Sequence, residues 1–129
     1  MRSIWISTEK GDYNSCLVLL KSQDRKLAEA LLNECNSDGW TPMHVASNEG
    51  HVELIEVFAE FGGNLDCRSK NLRTPLHVAC IRGNFNVIKA LLLKEVDINA
   101  QDIDGYTPCH FCSEYGHIDC LRLLLRQHP

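Results

Sequence analysis

The sequence has no long apolar run and no surplus of basic residues. Its longest apolar stretches are fragments such as "ALLL" at 90–93, far short of the ~20 residues that a membrane-spanning helix needs. The net charge is −4 and the pI is near 5.8, whereas domains that bind nucleic acid by bulk charge usually carry a basic surplus. We therefore expect neither membrane insertion nor nucleic-acid binding.

The sequence also lacks the short motifs of several enzyme classes. Neither form of the Gly-rich phosphate-binding loop occurs, and the nucleophile elbow G-x-S-x-G is missing. The opening segment "MRSIWISTEKGD" meets charged residues after one short apolar patch, unlike a secretory signal. With 129 residues, of which 44% are hydrophobic and 23% charged, the chain suits one globular domain spanning residues 1–129.

Cysteine, by contrast, is abundant. Seven residues of this type occur, at positions 16, 35, 67, 80, 109, 112 and 120. An odd number of cysteines without a recognisable secretory signal favours reduced thiols over a disulfide framework. We therefore expect the protein in the cytoplasm or the nucleus.

One segment recurs three times along the chain. "DGWTPMHVASNEGHVELIEVF" is followed by "NLRTPLHVACIRGNFNVIKAL" and then by "DGYTPCHFCSEYGHIDCLRLL". Four residue types keep a step of 33, namely Thr41, Thr74 and Thr107; Pro42, Pro75 and Pro108; His44, His77 and His110; and Gly50, Gly83 and Gly116. A fixed period of this length is the signature of a protein built from stacked structural repeats.

Elementary helix chemistry explains the recurring residues. A threonine at an N-cap accepts a hydrogen bond from a free helix N–H, and the proline after it suits the first helical position. A glycine nine residues after each threonine ends that short helix in a left-handed conformation. A second amphipathic helix follows, with Val52, Ile55 and Phe58 on its apolar face in one copy.

The period of 33 and the segment "TPLHVA" at 74–79 resemble the ankyrin repeat, whose signature is T-P-L-H-x-A. The resemblance implies an all-α repeat fold, an ankyrin-repeat solenoid of helix-turn-helix units joined by β-hairpin fingers. Its copies are copy 1 (about 3–35, degenerate), copy 2 (36–68), copy 3 (69–101) and copy 4 (102–129). The segment "KSQDRKLAEALLNEC" lengthens copy 1 by six residues before the next copy begins and predicts a longer second helix or a reshaped loop.

The same resemblance implies a non-catalytic protein-binding module that uses its concave finger and inner-helix surface. We expect a protein partner, no enzyme activity, no cofactor and no metal. One alternative is the regulatory or substrate-docking ankyrin part of a larger enzyme or channel. Another is a small protein like the ankyrin kinase inhibitors, which usually have a shortened first helix in the second copy, whereas "TPMHVASNEG" is full length.

Two groups of polar residues could instead be interpreted as catalytic or metal sites. Ser47, Glu49 and His51 could be drawn as a hydrolase triad, although nothing like a nucleophile elbow supports it. "CHFC", with Cys109 and Cys112, could be a redox pair or half of a metal site. The repeat places both cysteines at positions that should face the core, so we expect them to pack as small apolar residues.

The informative residues are those that differ between copies and should point outward. Aromatic and arginine side chains among them are the types enriched at binding hot spots. The predicted partner-binding set is Trp40, Asn48, Glu49, Lys70, Arg73, Ile81, Arg82, Ile103, Tyr106, Glu114 and Tyr115. The alternative for Trp40 and Tyr106 is that they merely pack along the fingers.

Three further positions carry expectations. Leu72 and Glu95 replace glycines of neighbouring copies, so a positive φ there would cost about 1 kcal/mol each. Asn99 lies in the "VDIN" turn with Leu91 eight residues earlier, a pattern that in ankyrin proteins favours asparaginyl hydroxylation. The last copy lacks a polar terminal helix pair, which indicates either a piece of a longer protein or an end face that self-associates.

Overall fold

A computed structural model describes residues 2–127, the side chains of residues 2 and 3 excepted. Nine helices supply the regular structure of that range. They are α1 (Arg2–Lys10), α2 (Tyr13–Lys21), α3 (Arg25–Asn33), α4 (Pro42–Glu49), α5 (Val52–Glu60), α6 (Pro75–Arg82), α7 (Phe85–Leu93), α8 (Pro108–Glu114) and α9 (Ile118–Leu125). No helix between residues 2 and 127 has the length and apolar character to cross a membrane.

The helices stack as successive pairs. Helices α1, α4, α6 and α8 pack against one another in that order and form an inner row, while α2, α5, α7 and α9 form an outer row. Contacts between helices are therefore made mainly within a copy and between neighbouring copies, as in a solenoid. The predicted all-α repeat fold is confirmed.

The inner helices of the three full copies begin where the repeat predicts, and α4 and α6 also end there. The hydroxyl of Thr74 accepts a hydrogen bond from the backbone N–H of His77 at 3.3 Å, and Pro75 takes the first helical position. Gly83 ends the helix at φ 72°, a conformation that costs other residues about 1 kcal/mol. The other full copies begin their inner helices at Thr41 and Thr107. Gly50 ends α4 at φ 80°, whereas α8 ends one residue earlier in its copy, at Glu114, and Tyr115 separates it from Gly116 at φ 73°.

The added segment of copy 1 forms a separate helix, α3, so the predicted longer second helix or reshaped loop was wrong. Asp24 begins this helix, because its carboxylate accepts the backbone N–H of Leu27 at 2.8 Å. Asn33 at the other end joins α3 to copy 2: its side-chain amide donates to the Gly62 carbonyl at 3.3 Å, and its Oδ1 accepts the Asn64 N–H at 2.9 Å. The buried residues of α3 are Ala28, Leu31 and Leu32.

One apolar core runs through all copies. Burying a large aliphatic side chain contributes about 1.5–3 kcal/mol, so positions covered by the next copy matter. Leu76 and Ile88 of copy 3 are fully buried. Cys109 and Leu121, at the same positions of copy 4, are only half-buried. The outward face of copy 4 is thus partly apolar and uncovered within residues 2–127.

The opposite end of the stack has hydroxyl groups at two positions that are apolar in copy 2. Aligned on the glycine that follows each inner helix, Ser7 and Ser15 of copy 1 correspond to Ala46 and Leu54 of copy 2. Ala46 and Leu54 are buried, whereas Ser7 is half-buried and Ser15 is exposed. Hydroxyl side chains on the outward face lower the cost of leaving it in water.

The fingers have a hairpin form with minimal pairing. The backbone N–H of Asn36 donates to the Trp40 carbonyl at 2.9 Å, and the N–H of Ser69 donates to the Arg73 carbonyl at 3.0 Å. Asp102 repeats this bond in copy 4. Within residues 2–127 these pairs are too short to be strands, and each finger is effectively a closed turn.

Two turns carry backbone strain at the predicted positions. Leu72 has φ 61° and Glu95 has φ 60°, where other copies have Gly39 at φ 78° and Gly62 at φ 96°. The left-handed conformation expected from the glycine alignment is confirmed. Each residue therefore carries a penalty of about 1 kcal/mol that the surrounding stack tolerates.

Candidate binding surface

The histidine of each T-P-x-H motif links one copy to the next. The backbone N–H of Thr41 donates to Nδ1 of His44 at 3.1 Å, so the ring proton lies on Nε2. Nε2 then donates to the Arg73 carbonyl in the next finger at 2.8 Å. His77 reaches the Tyr106 carbonyl in the same way at 2.9 Å. The predicted structural role of these histidines is confirmed.

Burial reinforces that role by lowering the pKa of His44 and His77, although the hydrogen bond to a carbonyl acts in the opposite direction. The neutral ring is the required form, because a proton on Nδ1 would oppose the threonine N–H. His110 keeps the bond from the Thr107 N–H at 2.9 Å but is exposed. No carbonyl between residues 2 and 127 meets its Nε2.

The residue after each helix-ending glycine makes a second set of bonds between copies, and these bonds were not predicted from the sequence. Nε2 of His51 lies 3.1 Å from the Glu9 carbonyl, and Nε2 of His117 lies 3.0 Å from the Ile81 carbonyl. Asn84 donates to a carbonyl of α4 at 2.7 Å. The available signal was a side-chain donor at this position in every full copy.

The hydrolase triad is not assembled. Ser47 is fully buried, and its hydroxyl has no hydrogen-bond partner in the described part of the chain. Glu49 accepts a bond from the Asn48 amide at 2.9 Å, while the ring of His51 is directed to the Glu9 carbonyl. A nucleophile, base and orienting acid must lie within hydrogen-bond reach of one another, and these three do not.

A cysteine and a histidine do meet beside Thr41. Sγ of Cys67 lies 3.6 Å from Nδ1 of His44 and 3.1 Å from the Thr41 hydroxyl oxygen. Such a pair forms a nucleophile when the surroundings lower the pKa of the thiol. Here burial raises the pKa of Cys67 to about 11, and Nδ1 already accepts the Thr41 N–H. The thiol is a packing group.

The C-x-x-C pair of copy 4 also belongs to the packing. Cys112 is fully buried as predicted, whereas Cys109 is half-buried because no further copy covers it within residues 2–127. Burial raises the pKa of the neighbouring Cys120 to about 11, and the seven cysteines are free thiols. Across residues 2–127, His, Cys, Asp and Glu form no group of three or more that could hold a metal ion.

The predicted partner-binding residues lie on what we call the inner surface, formed by the fingers and the C-terminal ends of α4, α6 and α8. Glu49, Arg82 and Tyr115 form a helix-end row with one exposed member in each full copy. Tyr115 keeps 51% of its surface exposed. The preceding residues are Asn48 and Ile81, which are half-buried, and Glu114, which is exposed.

A second row lies at the bases of the fingers. Trp40 is half-buried and stacks on His44 with 5.8 Å between ring centroids, which supports the alternative that it packs along its finger. Tyr106 packs edge-on against Phe111 at 5.5 Å yet keeps 42% of its surface exposed. Phe111 in turn lies 6.4 Å from the Tyr115 ring, so the two rows meet in copy 4.

Arg73, the third member of the finger row, is held from two sides. Its Nε lies 3.3 Å from Oδ2 of Asp102, and its guanidinium lies 5.0 Å from the centroid of Phe111. Burial alone would raise the pKa of Asp102, but backbone N–H groups of Tyr106 and Asp104, together with Arg73, lower it overall. An ionised carboxylate therefore fixes the arginine, a constraint that was not predicted from the sequence.

The finger tips carry the remaining predicted residues, Lys70 and Ile103. The backbone N–H of Lys70 donates to the Asp38 carbonyl of the previous finger at 3.1 Å, and that of Ile103 donates to the Asn71 carbonyl at 2.8 Å. Both side chains are exposed, Ile103 by 63%. Backbone bonds between fingers thus hold the tips in register while their side chains stay accessible.

Asn99, the predicted hydroxylation position, is exposed in the turn before copy 4. Its backbone N–H donates to Oδ1 of Asp97 at 3.0 Å. Asn33 and Asp66, at the same position in earlier copies, accept N–H groups of the next copy's turn. Within residues 2–127 the side chain of Asn99 makes no such bond, and its modification stays a prediction.

Comparison with known proteins relates this geometry to a family. A family model described as "Ankyrin repeats (3 copies)" matches residues 4–102 and again residues 63–129. Ankyrin repeat and SOCS box protein 10 of Mus musculus is 49% identical over 86 residues, which are 67% of this chain and 18% of that protein. Protein VAPYRIN-LIKE of Medicago truncatula is 48% identical over 87 residues, 67% of this chain and 18% of that protein.

A third relative aligns over more of the chain. The probable E3 ubiquitin-protein ligase XBOS32 of Oryza sativa subsp. japonica is 29% identical over 116 residues, which are 89% of this chain and 23% of that protein. The chain thus spans less than a quarter of the length of each of these three relatives.

Proposed function

The chain belongs to the ankyrin-repeat family, and we propose that it is a non-catalytic module that binds a partner protein through its inner surface. Ankyrin repeats are protein–protein interaction modules. We assign binding to the inner surface because Tyr106 and Tyr115 stay 42% and 51% exposed beside the buried Phe111. Rigid, half-exposed aromatic rings next to an arginine are the composition of binding hot spots.

The test compares two equally exposed side chains of copy 4, one at the end of its inner helix and one at the start of its outer helix. Tyr115 follows the last residue of α8 on the inner surface, and Ile118 begins α9 in the outer row with the same 51% exposure. Partners captured from a lysate of the source organism by the unaltered chain are identified by mass spectrometry. Their affinities for the Tyr115→Ala and Ile118→Ala chains are then measured by titration.

We expect Tyr115→Ala to weaken binding by about 1 kcal/mol or more and Ile118→Ala to leave it unchanged. Trp40→Ala and Arg82→Ala should also weaken binding, with the smaller loss at Trp40 if its packing on His44 limits contact with the partner. Equal affinity of the unaltered and Tyr115→Ala chains, or a larger loss with Ile118→Ala, would place the site elsewhere.

A second candidate is that the chain is the substrate-docking or regulatory part of a larger enzyme. Several relatives are named E3 ubiquitin-protein ligases, and one is named a poly [ADP-ribose] polymerase. The small share of those proteins that this chain spans supports this candidate. Sequencing the complete transcript tests it, and a reading frame that ends at Pro129 without an upstream extension would rule it out.

Resemblance to the small kinase inhibitors has less support. Their usual shortened helix would fall at α4, yet α4 and α6 each have eight residues. The compartment that we propose is the cytoplasm or the nucleus, where free thiols such as these seven persist. Microscopy of the tagged full-length protein tests that assignment, and a secreted product would contradict it.

The outward face of copy 4 supports a proposal of self-association. Leu125 is 55% exposed there, and Leu121 and Cys109 are half-buried. A second copy that covered these side chains would remove apolar surface from water. Light scattering over a range of concentrations tests this, and a monomeric mass throughout would dismiss it.

Hydroxylation of Asn99 is proposed on the exposure of its turn and on the position of Leu91. Leu91 is fully buried in α7, so an enzyme that recognises it must loosen the end of that helix. Mass spectrometry of the protein purified from its source tests the modification. A peptide spanning Asn99 without an added oxygen would remove the proposal.

A further inference from the structure

The charges of the inner surface change sign from copy to copy. Copy 2 contains one basic and six acidic residues, a net charge of −5, whereas copy 3 contains five basic and two acidic residues, a net charge of +3. The exposed charged residues of the inner surface follow this pattern. They are Asp38 and Glu49 in copy 2, Lys70 and Arg82 in copy 3, and Asp104 and Glu114 in copy 4.

The basic residues of copy 3 cross the inner surface as a stripe. Lys70 lies at a finger tip, Arg73 at the base of the same finger and Arg82 at the end of α6; we call these three the basic stripe. Within residues 2–127, neither Lys70 nor Arg82 has a carboxylate within 4.0 Å, although ion pairs form at other positions. Their charges are therefore available to a partner.

Arg73 adds a fixed binding geometry. Only its Nε bonds to Asp102, while ring contact with Phe111 holds the guanidinium plane. The side chain keeps 33% exposure. A guanidinium held in this way loses little side-chain freedom when its terminal N–H groups meet a carboxylate.

Apolar side chains border the stripe on the side of copy 4. Leu72 is 42% exposed beside Arg73, and Ile103 is 63% exposed on the finger that bonds to the same turn. Tyr106 and Tyr115 continue this apolar border toward the end of α8. Cationic and apolar groups thus lie next to each other across the boundary between copies 3 and 4.

We infer that the partner presents an extended acidic segment, with carboxylates over the basic stripe and a large apolar side chain over Tyr106 and Tyr115. This inference rests on the proposed function and names the chemistry of its partner. The acidic residues of copies 2 and 4 disfavour a segment displaced by one copy, because its carboxylates would then face like charges. The alternation of charge between copies therefore determines where along the inner surface the segment binds, and it also contributes to the affinity.

The experiment selects binders from a display library of random short peptides on the immobilised full chain. Enriched peptides are synthesised with a fluorophore, and each is paired with a version in which Asp and Glu become Asn and Gln. Affinities are measured by fluorescence polarisation for the unaltered chain and three variants: Arg82→Glu, Lys89→Glu and Tyr115→Ala. Lys89 is the matched control, since it is an exposed base of the same copy on the outer helix α7.

The expected peptides are rich in Asp and Glu next to Leu, Phe or Trp. Their amide versions and the Arg82→Glu chain should bind at least about tenfold more weakly at low ionic strength, and less so when salt screens the charges. Lys89→Glu, which changes the net charge equally, should bind like the unaltered chain. Thermal melting of each variant checks that the fold is retained.

Two negative results are distinguishable. Peptides that need Tyr115 but show no acidic enrichment and bind the Arg82→Glu chain normally would overturn this inference and leave the proposed function standing. Peptides insensitive to both Tyr115→Ala and Arg82→Glu, or no enriched peptide at all, would overturn the inner-surface function and this inference together.

Discussion

The T-P-x-H motif occurs both inside the stack and at its end, and the two settings differ in the packing around the histidine. His77 is buried and joins the Thr74 N–H to the Tyr106 carbonyl of the next finger. His110 has the same local bond from Thr107 but is exposed. The motif therefore shapes every copy, but it stabilises the fold mainly where the histidine is buried against the next copy.

The glycines that follow the inner helices also differ between the inside of the stack and copy 4. A Cβ added to Gly83 would lie 2.6 Å from the ring of His117 in the next copy, whereas one added to Gly116 would meet nothing within 4 Å. Both glycines have positive φ, at 72° and 73°. Positive φ therefore favours glycine at both positions, and close packing against the next copy adds a second reason only at Gly83.

Replacing the buried histidine should destabilise the fold most. His77→Ala leaves the Thr74 N–H and the Tyr106 carbonyl without their partner and opens a cavity, so we expect a loss of about 2–3 kcal/mol of unfolding free energy. His110→Ala removes an exposed ring and should cost less than about 1 kcal/mol. Urea unfolding followed by circular dichroism measures both. Equal losses would show that the next copy adds nothing to the motif.

Substitution of the glycines separates packing from backbone strain. Gly116→Ala should cost about 1 kcal/mol, the penalty for a Cβ at positive φ. Gly83→Ala should cost about 2 kcal/mol, because the ring of His117 must also move and its bond to the Ile81 carbonyl would weaken. The same unfolding assay compares them. A cost at Gly116 as large as that at Gly83 would contradict the role given to packing.

Acid should lower the stability of the fold by protonating the buried histidines His44 and His77. Because burial lowers the pKa of His44 and His77 below the ordinary value of 6.5, the unfolded chain binds more protons than the folded chain as pH falls below that value. The stability contributed by the neutral rings is complete above about pH 6.5 and is lost as pH drops through the lowered folded pKa values. Melting temperatures across this range should show the decline.

His77→Gln is the variant that tests this assignment, since glutamine does not titrate. Its stability should depend less steeply on pH than that of the unaltered chain, and the gap between the two chains should be widest near neutral pH. A slope identical to that of the unaltered chain would assign the acid sensitivity to other groups.

Features of the backbone within a single copy were predictable from the sequence, because the residues that cause them lie in that copy and recur in the others. The helix starts at Thr74, the stop at Gly83 and the positive φ of Leu72 and Glu95 all result from a residue type and its position in the period. The exposure of the helix-end row was predictable for the same reason. These features need no knowledge of distant contacts.

Contacts between copies could not be derived in the same way. The ion pair of Arg73 with Asp102 joins residues of different copies, and neither residue recurs at its position in the other copies. Asp24 began an unforeseen helix because a single N-cap outside the period carries no repeat signal. Half-burial of Trp40 depends on its stacking with His44, a choice of side-chain rotamer that the sequence leaves open.

The smallest expected effect is a gain in stability at the turn between copies 3 and 4. Glu95 is exposed at φ 60°, whereas Gly62 holds the same position before copy 3 at φ 96°. Glu95→Gly removes a Cβ penalty of about 1 kcal/mol but adds freedom to the unfolded chain, so the net gain should be about 0.5 kcal/mol. A higher urea midpoint with an unchanged slope would be the sign of this gain.

Glu95→Ala is the control for that prediction, because it removes the carboxylate and keeps the Cβ. We expect no comparable gain from it, since the strain belongs to the backbone and the side chain is exposed. If alanine stabilised the chain as much as glycine, repulsion of the Glu95 charge and not its φ would be the cause. A melting temperature lowered by Glu95→Gly would instead show that the restricted backbone freedom of Glu95 stabilises this turn by more than its positive φ costs.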